Sequence, residues 1–343
     1  MKFRKGLCYF IIMLQIGLFG AGHLGKIHLQ QWLDIPGVRV VGFYDPDDAQ
    51  AATTIATYQV PRYTDAEALL KACDAADIVT TTTSHYEMAL RAIAAGKHLF
   101  IEKPLAQSLD EAREIVHLVA EKGLKCQVGH VERYNPALRA LGDAGVAQPV
   151  FIESHRLAQF NPRGTDVSVI HDLMIHDIDI VLHLVKSPVK SVSASGVAVV
   201  SPTVDIVSAR IEFQNGCVAN ITTSRISLKK MRKMRLFRKD AYIGIDFLDK
   251  KTEVIRMKEP GALAGMMDFP IDLPGGESRI ISVQMPDVKA SNAIRDELAD
   301  FADAIRYNLP VRVPATDGLA AMEVAYQVLE QVEAHLAQQT LLS

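Results

Sequence analysis

The apolar run "LQIGLF", Leu14 to Phe19, leads directly into Gly20-Ala21-Gly22-His23-Leu24-Gly25, and "GKIHLQQWL" after it carries apolar residues at helical spacing. A strand that ends on G-x-G-x-x-G and opens a helix is the context of a dinucleotide-binding turn. Its glycines allow a tight bend and close backbone approach, and the helix N-terminus faces phosphate. A second strand, "RVVGFYD" from Arg39 to Asp45, ends on an acid 20 residues after Gly25. An acid placed there accepts hydrogen bonds from ribose hydroxyls and repels a 2′-phosphate, which predicts NAD rather than NADP.

The start of the chain admits a competing reading. Lys2, Arg4 and Lys5, followed by the apolar run from Leu7 to Leu14, have the charged and apolar parts of a secretory signal. Cleavage after "GLFGAG" would remove the first strand and half the glycine loop, so the export reading destroys the better-supported one. Residues 1–12 are therefore expected to be an extension, with a cytoplasmic NAD-binding domain over 13–131 and a second domain over 132–343.

The 37 Lys+Arg and 40 Asp+Glu give a net charge of -3, which predicts no nucleic-acid partner. Hydrophobic residues make up 49%, yet charges interrupt every apolar run short of the roughly 18 residues a membrane span needs. Cys8, Cys73, Cys126 and Cys217 show no C-x-x-C pairing, which fits reduced thiols better than a disulfide framework or a zinc site.

After the glycine motif the pattern continues as strand (Asp77 to Thr82), helix (His85 to Ala95), strand (His98 to Ile101), helix (Leu109 to Lys122) and strand (Lys125 to Val128). Such alternation implies a doubly wound parallel α/β sheet, whose ligands sit beyond the carboxyl ends of the strands. The glycine loop, "TTTSH" and "EKP" all lie there. The cofactor-binding candidates are accordingly Gly20, Gly22, His23, Leu24, Asp45, Thr82, His85, Glu102 and Lys103. Beyond residue 190, alternating β-branched segments with "NG" at Asn215-Gly216 suggest a mainly antiparallel sheet. "KEPGALAGMMDFPIDLPGGES" reads as an irregular loop, and "SNAIRDELADFADAIRYNLP" and "TDGLAAMEVAYQVLEQVEAHLAQ" as amphipathic helices.

The glycines, "AGKHLFIEKPLA", "RYNPA", "DLMIHDID" and "NAIRDELADFADAI" together resemble the glucose-fructose oxidoreductase, inositol dehydrogenase and MocA family of NAD(P)-dependent dehydrogenases. The resemblance spans roughly residues 14 to 335. It implies a Rossmann domain followed by an α+β domain on a large, mostly antiparallel open sheet. It also implies hydride transfer at a sugar or polyol carbinol, a homodimer or homotetramer formed through that sheet, and a final helix (about 316–338) packing near the Rossmann domain. Within the family, "VGHVERYNPA", "RLAQFNPRGTDVSVIHDLMIHDIDIVLHL" and "SRISLKKMRKMRLF" look most like the UDP-N-acetylglucosamine 3-dehydrogenase type, which implies a UDP-sugar substrate and a place in cell-envelope glycan or lipopolysaccharide synthesis. A free-polyol dehydrogenase and a non-catalytic sugar-nucleotide sensor are the alternatives. One departure is "TTTSH", where relatives carry a proline ahead of the histidine.

Lys103 stands at a strand end before Pro104, which disfavours helix there and holds the ammonium where a substrate can meet it. Asp172 and His176 are four apart in an apolar helix, and a carboxylate beside an imidazole raises its basicity and sets its tautomer. By the family pattern His176 is the acid/base and Lys103 its partner. Arg133, Tyr134 and Asn135, with Arg156 and Arg163, are the substrate-binding candidates, guanidinium forks matching diphosphate oxygens. The run Lys229, Lys230, Arg232, Lys233 and Arg235 reads more readily as a solvated strand or an interface. His171, Asp172, His176, Asp177 and Asp179 cluster without metal-ligand spacing, so no metal is expected; Asp177 and Asp179 are expected to cap or pair locally, and His183 to pack.

Overall fold

The computed structural model describes residues 13–142, 148–161, 168–258, 267–272, 274–276 and 278–342. The extension 1–12, Cys8 and Arg163 therefore lie outside the described residues. The chain divides into two compact units, residues 1–129 with 294–316, and 130–293 with 317–343.

The first unit is built on a six-stranded sheet in the order β3-β2-β1-β4-β5-β6. Its strands are β1 (Leu14–Phe19), β2 (Val38–Tyr44), β3 (Arg62–Tyr63), β4 (Ala75–Ile78), β5 (His98–Glu102) and β6 (Cys126–Gly129). Every pairing is parallel, the doubly wound arrangement expected. Between the strands run α1 (His23–Leu33), α2 (Asp48–Tyr58), α3 (Ala66–Ala72), α4 (Thr82–Ala94) and α5 (Leu109–Glu121). Local chemistry sets the helix starts. Asp47 and Asp65 accept from N–H groups of the first turns of α2 and α3, and Ser108 with Glu111 forms a capping box at α5.

β4 stops four residues earlier than the sequence pattern suggests, and Thr82 opens a helix rather than closing a strand. Gly20 supplies the reason. It adopts φ +98°, and a Cβ there would sit 2.6 Å from the Val79 carbonyl oxygen, so the chain leaving β1 and the chain leaving β4 close on one another at the carboxyl ends of these two central strands.

The helix Ala293–Arg306 returns to this unit. Leu298, Phe301 and Ala302 pack with Trp32, Ile35 and Phe100, Phe301 meeting the Phe100 ring edge-on at 5.8 Å. The final helix, Ala315–Leu342, groups from Asp317 onward with the second unit.

The second unit holds a nine-stranded sheet in the order β14-β15-β13-β12-β11-β7-β10-β9-β8. It comprises β7 (Phe151–Leu157), β8 (Val189–Val197), β9 (Ile206–Phe213), β10 (Val218–Ser224), β11 (Met231–Phe237), β12 (Ala241–Asp246), β13 (Lys251–Lys258), β14 (Asp268–Asp272) and β15 (Ser278–Gln284). Only β7 and β10 pair in parallel among these strands. Gly216, at φ +85°, makes the expected turn between β9 and β10. The segment read as an irregular loop contains β14, whose Pro270 is tolerated because the strand lies at the sheet's edge; 259–266 of that segment lie outside the described residues. No helix among the described residues is long and apolar enough to cross a membrane.

Candidate active site

In the first unit, α1 begins at Gly22 with no capping side chain and no acid in its first turn. Its leading N–H groups have no partner within the helix. A Cβ at Gly22 would meet nothing within 4 Å, whereas one at Gly25 would strike the Gly20 carbonyl oxygen at 2.0 Å. Gly25 lets the helix press against the turn, Gly22 leaves the approach open, and His23 and Leu24 are exposed beside it. This cradle fits a dinucleotide's pyrophosphate.

Asp45 is fixed more firmly than its expected ribose role requires. Its Oδ2 accepts from Ala21 N at 2.6 Å and its Oδ1 from Asp47 N at 2.8 Å, tying the end of β2 to the glycine loop. Each oxygen keeps a further acceptor site, so the pinned carboxylate is still suited to ribose hydroxyls.

His85 is buried, its Nδ1 2.9 Å from the Pro104 carbonyl oxygen and its Nε2 3.2 Å from that of Thr80. Burial lowers its pKa, and a neutral ring, with one N–H, donates to one of these two carbonyls. His85 thus lies between the "TTTSH" and "EKP" turns; Thr82, half-buried, opens α4 beside it. Lys103 is half-buried, its main-chain N–H donates to Glu102 Oε2 at 3.2 Å, and the Lys103–Pro104 bond is cis.

In the second unit, Asp172 and His176 sit where a π-helical turn, Ile170–Met174, runs into the helix Ile175–Val185. Asp172 is exposed and His176 half-buried. A wider turn is a frequent mark of a functional site. The His171 ring meets Tyr326 edge-on at 4.8 Å.

The arginines expected to face a substrate are turned inward. Arg133 grips Asp179 with two bonds of 2.7 Å, donates to Asp317 at 3.0 Å, and gives Nη1–H to His183 Nδ1 at 2.8 Å. Arg156 donates to Asp177 at 2.5 Å and to Glu132 at 3.0 Å. Asn135 donates to Glu132 and to the Phe247 carbonyl and accepts from Ala137 N, and Tyr134 is buried. Arg133, Asn135 and Arg156 are thus held by ion pairs and hydrogen bonds within this unit, with Tyr134 buried among the same elements. Asp177 and Asp179 pair with arginines from other elements rather than capping their own helix, and His183 accepts a hydrogen bond rather than merely packing. The basic run behaves as a sheet surface, with Lys233 paired to Asp246 and Arg235 to Glu153 across strands. A groove of about 1080 Å³ on that sheet is lined by Lys233, Arg235, Tyr242 and Met285, and none of Lys103, His176 or Arg133 borders it.

Residues 14–130 match the family described as "Oxidoreductase family, NAD-binding Rossmann fold", and residues 142–242 the GFO/IDH/MocA C-terminal domain. The UDP-N-acetylglucosamine 3-dehydrogenase of Acidithiobacillus ferrooxidans is 34% identical over 326 residues, covering 95% of this chain and 99% of the relative. The chain belongs to the GFO/IDH/MocA oxidoreductase family. A solved structure of that same GFO/IDH/MocA enzyme superposes with TM-score 0.85, covering 94% of this chain and 98% of the other. The inositol 2-dehydrogenase of Pseudomonas fluorescens is 35% identical, but over 52% of this chain and 56% of its own. An oxidoreductase from Agrobacterium radiobacter, solved with NAD+, L-tartaric acid and magnesium, shares the fold at TM-score 0.78 and 18% identity, covering 94% of this chain and 96% of the other. The glycine cradle is thus that of an NAD-dependent family of dehydrogenases.

Proposed function

We propose that the protein oxidises the 3-hydroxyl of UDP-N-acetylglucosamine, or of a closely related UDP-sugar, to a 3-keto sugar. The observation that carries the reading is the end-to-end likeness to the Acidithiobacillus ferrooxidans enzyme, against a likeness to inositol dehydrogenases that covers about half the chain.

Bound NAD supplies the hydride acceptor. The chain supplies binding, orientation and a route for the proton. The open N-terminus of α1 would hold the pyrophosphate of NAD, and Asp45 its ribose hydroxyls. His176, four residues after Asp172, takes the carbinol proton, and Lys103 hydrogen-bonds the reacting oxygen. A 3-keto sugar is a substrate for an aminotransferase, which suits a role in envelope glycan or lipopolysaccharide synthesis in the cytoplasm. The exposed sheet of the second unit, with its groove, is the surface we assign to homo-oligomer formation.

The test follows nicotinamide reduction at 340 nm with NAD and UDP-N-acetylglucosamine, with free inositol and glucose run alongside. Turnover with the UDP-sugar alone is expected. Lys103→Ala should keep NAD binding and lose roughly 10²- to 10⁴-fold in kcat. Full activity in that variant sinks the assignment of Lys103, and reduction with a free polyol alone moves the substrate.

A further inference from the structure

Four titratable side chains meet inside the first unit. His28 comes from α1, Asp77 from β4, Glu102 from the end of β5 and Glu297 from the helix Ala293–Arg306; His28, Asp77 and Glu297 are 0% exposed. His28 Nδ1 lies 3.1 Å from Asp77 Oδ2, and its Nε2 3.2 Å from Glu102 Oε1. Trp32 Nε1 donates to the same Asp77 oxygen at 2.7 Å. His28, Glu102 and Glu297 each bring one nitrogen or oxygen within 4.8 Å of the others. Neither carboxyl oxygen of Glu297 has a hydrogen-bond partner among the described residues.

The cluster reaches the chemistry through Glu102. One of its oxygens faces His28 and the other accepts the Lys103 main-chain N–H. Gly129 makes room for it, since a Cβ there would lie 2.4 Å from Glu102 Oε1. Glu102 closes β5 and Lys103 is the next residue along the chain, so anchoring Glu102 fixes the strand end from which Lys103 leaves. We propose that His28 and Glu297 are positioning residues, His28 facing the Glu102 carboxylate and Glu297 closing the buried space beside it, and that through Glu102 they fix the backbone from which Lys103 reaches the substrate. This rests on the assignment of Lys103 to the reaction.

Burial opposes a charge on His28, but Asp77 and Glu102 on its two sides hold its pKa well above the usual range. Burial and the neighbouring Glu102 and Asp77 charges lift Glu297 well above a carboxyl's usual range. His28 and Glu297 thus both favour their protonated forms, with Lys103 following Glu102 and His85 close enough to feel both. Loss of the Glu297 proton would add an anion beside Glu102. A 1 Å misplacement of a catalytic group costs about a hundredfold in rate, so a loosened Glu102 should show in kcat.

The experiment uses the full chain as wild type and as His28→Leu, His28→Gln, Glu297→Ala and Glu297→Gln. Hydrogen exchange at the Lys103 amide needs no substrate. Exchange should accelerate in His28→Leu and Glu297→Ala, and return towards wild type in Glu297→Gln, which keeps the neutral form. In turnover with UDP-N-acetylglucosamine the same two variants should lose at least about tenfold in kcat with KM for NAD little changed. Glu297→Gln should restore most of that loss and move the alkaline fall of kcat to higher pH. If His28→Leu does not fold, His28→Gln and the Glu297 pair carry the test. Wild-type amide exchange in the destabilising variants, or a Glu297→Gln as impaired as Glu297→Ala, overturns the proposal; so does a stoichiometric divalent ion retained by the purified protein and lost in Glu297→Gln. A wild type that turns over no UDP-sugar defeats the proposed substrate instead, and amide exchange then decides the positioning role alone.

Discussion

In the first unit the buried carboxyls of Asp77, Glu102 and Glu297 face one imidazole, whereas in the second Glu132, Asp177 and Asp179 face the guanidiniums of Arg133 and Arg156. A guanidinium stays charged at every pH a protein meets, so the second cluster offsets its carboxylates with fixed ions. Burial opposes the charge on Arg156, but Asp177 and Glu132 more than compensate and raise its pKa. The first cluster offsets its carboxyls with protons that can leave. The difference teaches what each is for. A fixed ion lattice suits a scaffold, and a proton-filled cluster beside Lys103 ties the site's geometry to pH.

The sharpest way to break this comparison is to remove one arginine. Arg156→Met leaves Glu132 and Asp177 buried without their cation, and should cost about 3–5 kcal/mol of stability, read from urea unfolding followed by far-ultraviolet circular dichroism. If the loss stays under about 1 kcal/mol, the network is wet or mobile and does not act as a scaffold.

How much of this was legible in the sequence depends on the range of the signal. The glycine spacing, the acid after β2 and the alternation of strands and helices are local, and they place β1 at its observed ends, Leu14 and Phe19. "EKP" likewise falls at a strand end as read. What was not legible is pairing over distance. Arg133 finds Asp179 at a separation of 46 residues and Asp317 at 184, and nothing in "VERYNPA" says that its guanidinium points inward. His28 stands three residues after Gly25 within an apolar stretch and passes for a helix-packing residue until Asp77, 49 residues on, is seen beside it.

A smaller effect sharpens the first half of the comparison. Gly129→Ala forces a methyl against the Glu102 carboxylate, where 2.4 Å is far below any contact distance. Overpacking of this kind costs about 1–3 kcal/mol. The expected signature is a lowered thermal midpoint together with a kcat loss that exceeds what the midpoint explains, since the displaced group is the one that anchors Lys103. A lowered midpoint with wild-type kcat would mean that Glu102 has slack to spare.

The mildest perturbation is pH itself, and its sign follows from proton counting. A histidine whose pKa is raised on folding contributes stability that is fully present below its unfolded value, ordinarily 6.5, and is lost as pH rises through the folded value. Glu297 acts in the same direction. Above the ordinary carboxyl value of 4.5 the folded chain keeps a proton that the unfolded chain has released, so stability falls with rising pH until the folded group also ionises. Both contributions therefore weaken the first unit towards alkaline pH, while the guanidiniums of the second unit add no slope there. Thermal midpoints taken between about pH 5.5 and 9 should decline, and in Glu297→Gln the decline should be shallower, because an amide has no proton to release. An unchanged slope in that variant would place the titrating group elsewhere and leave the two clusters alike in their response to pH.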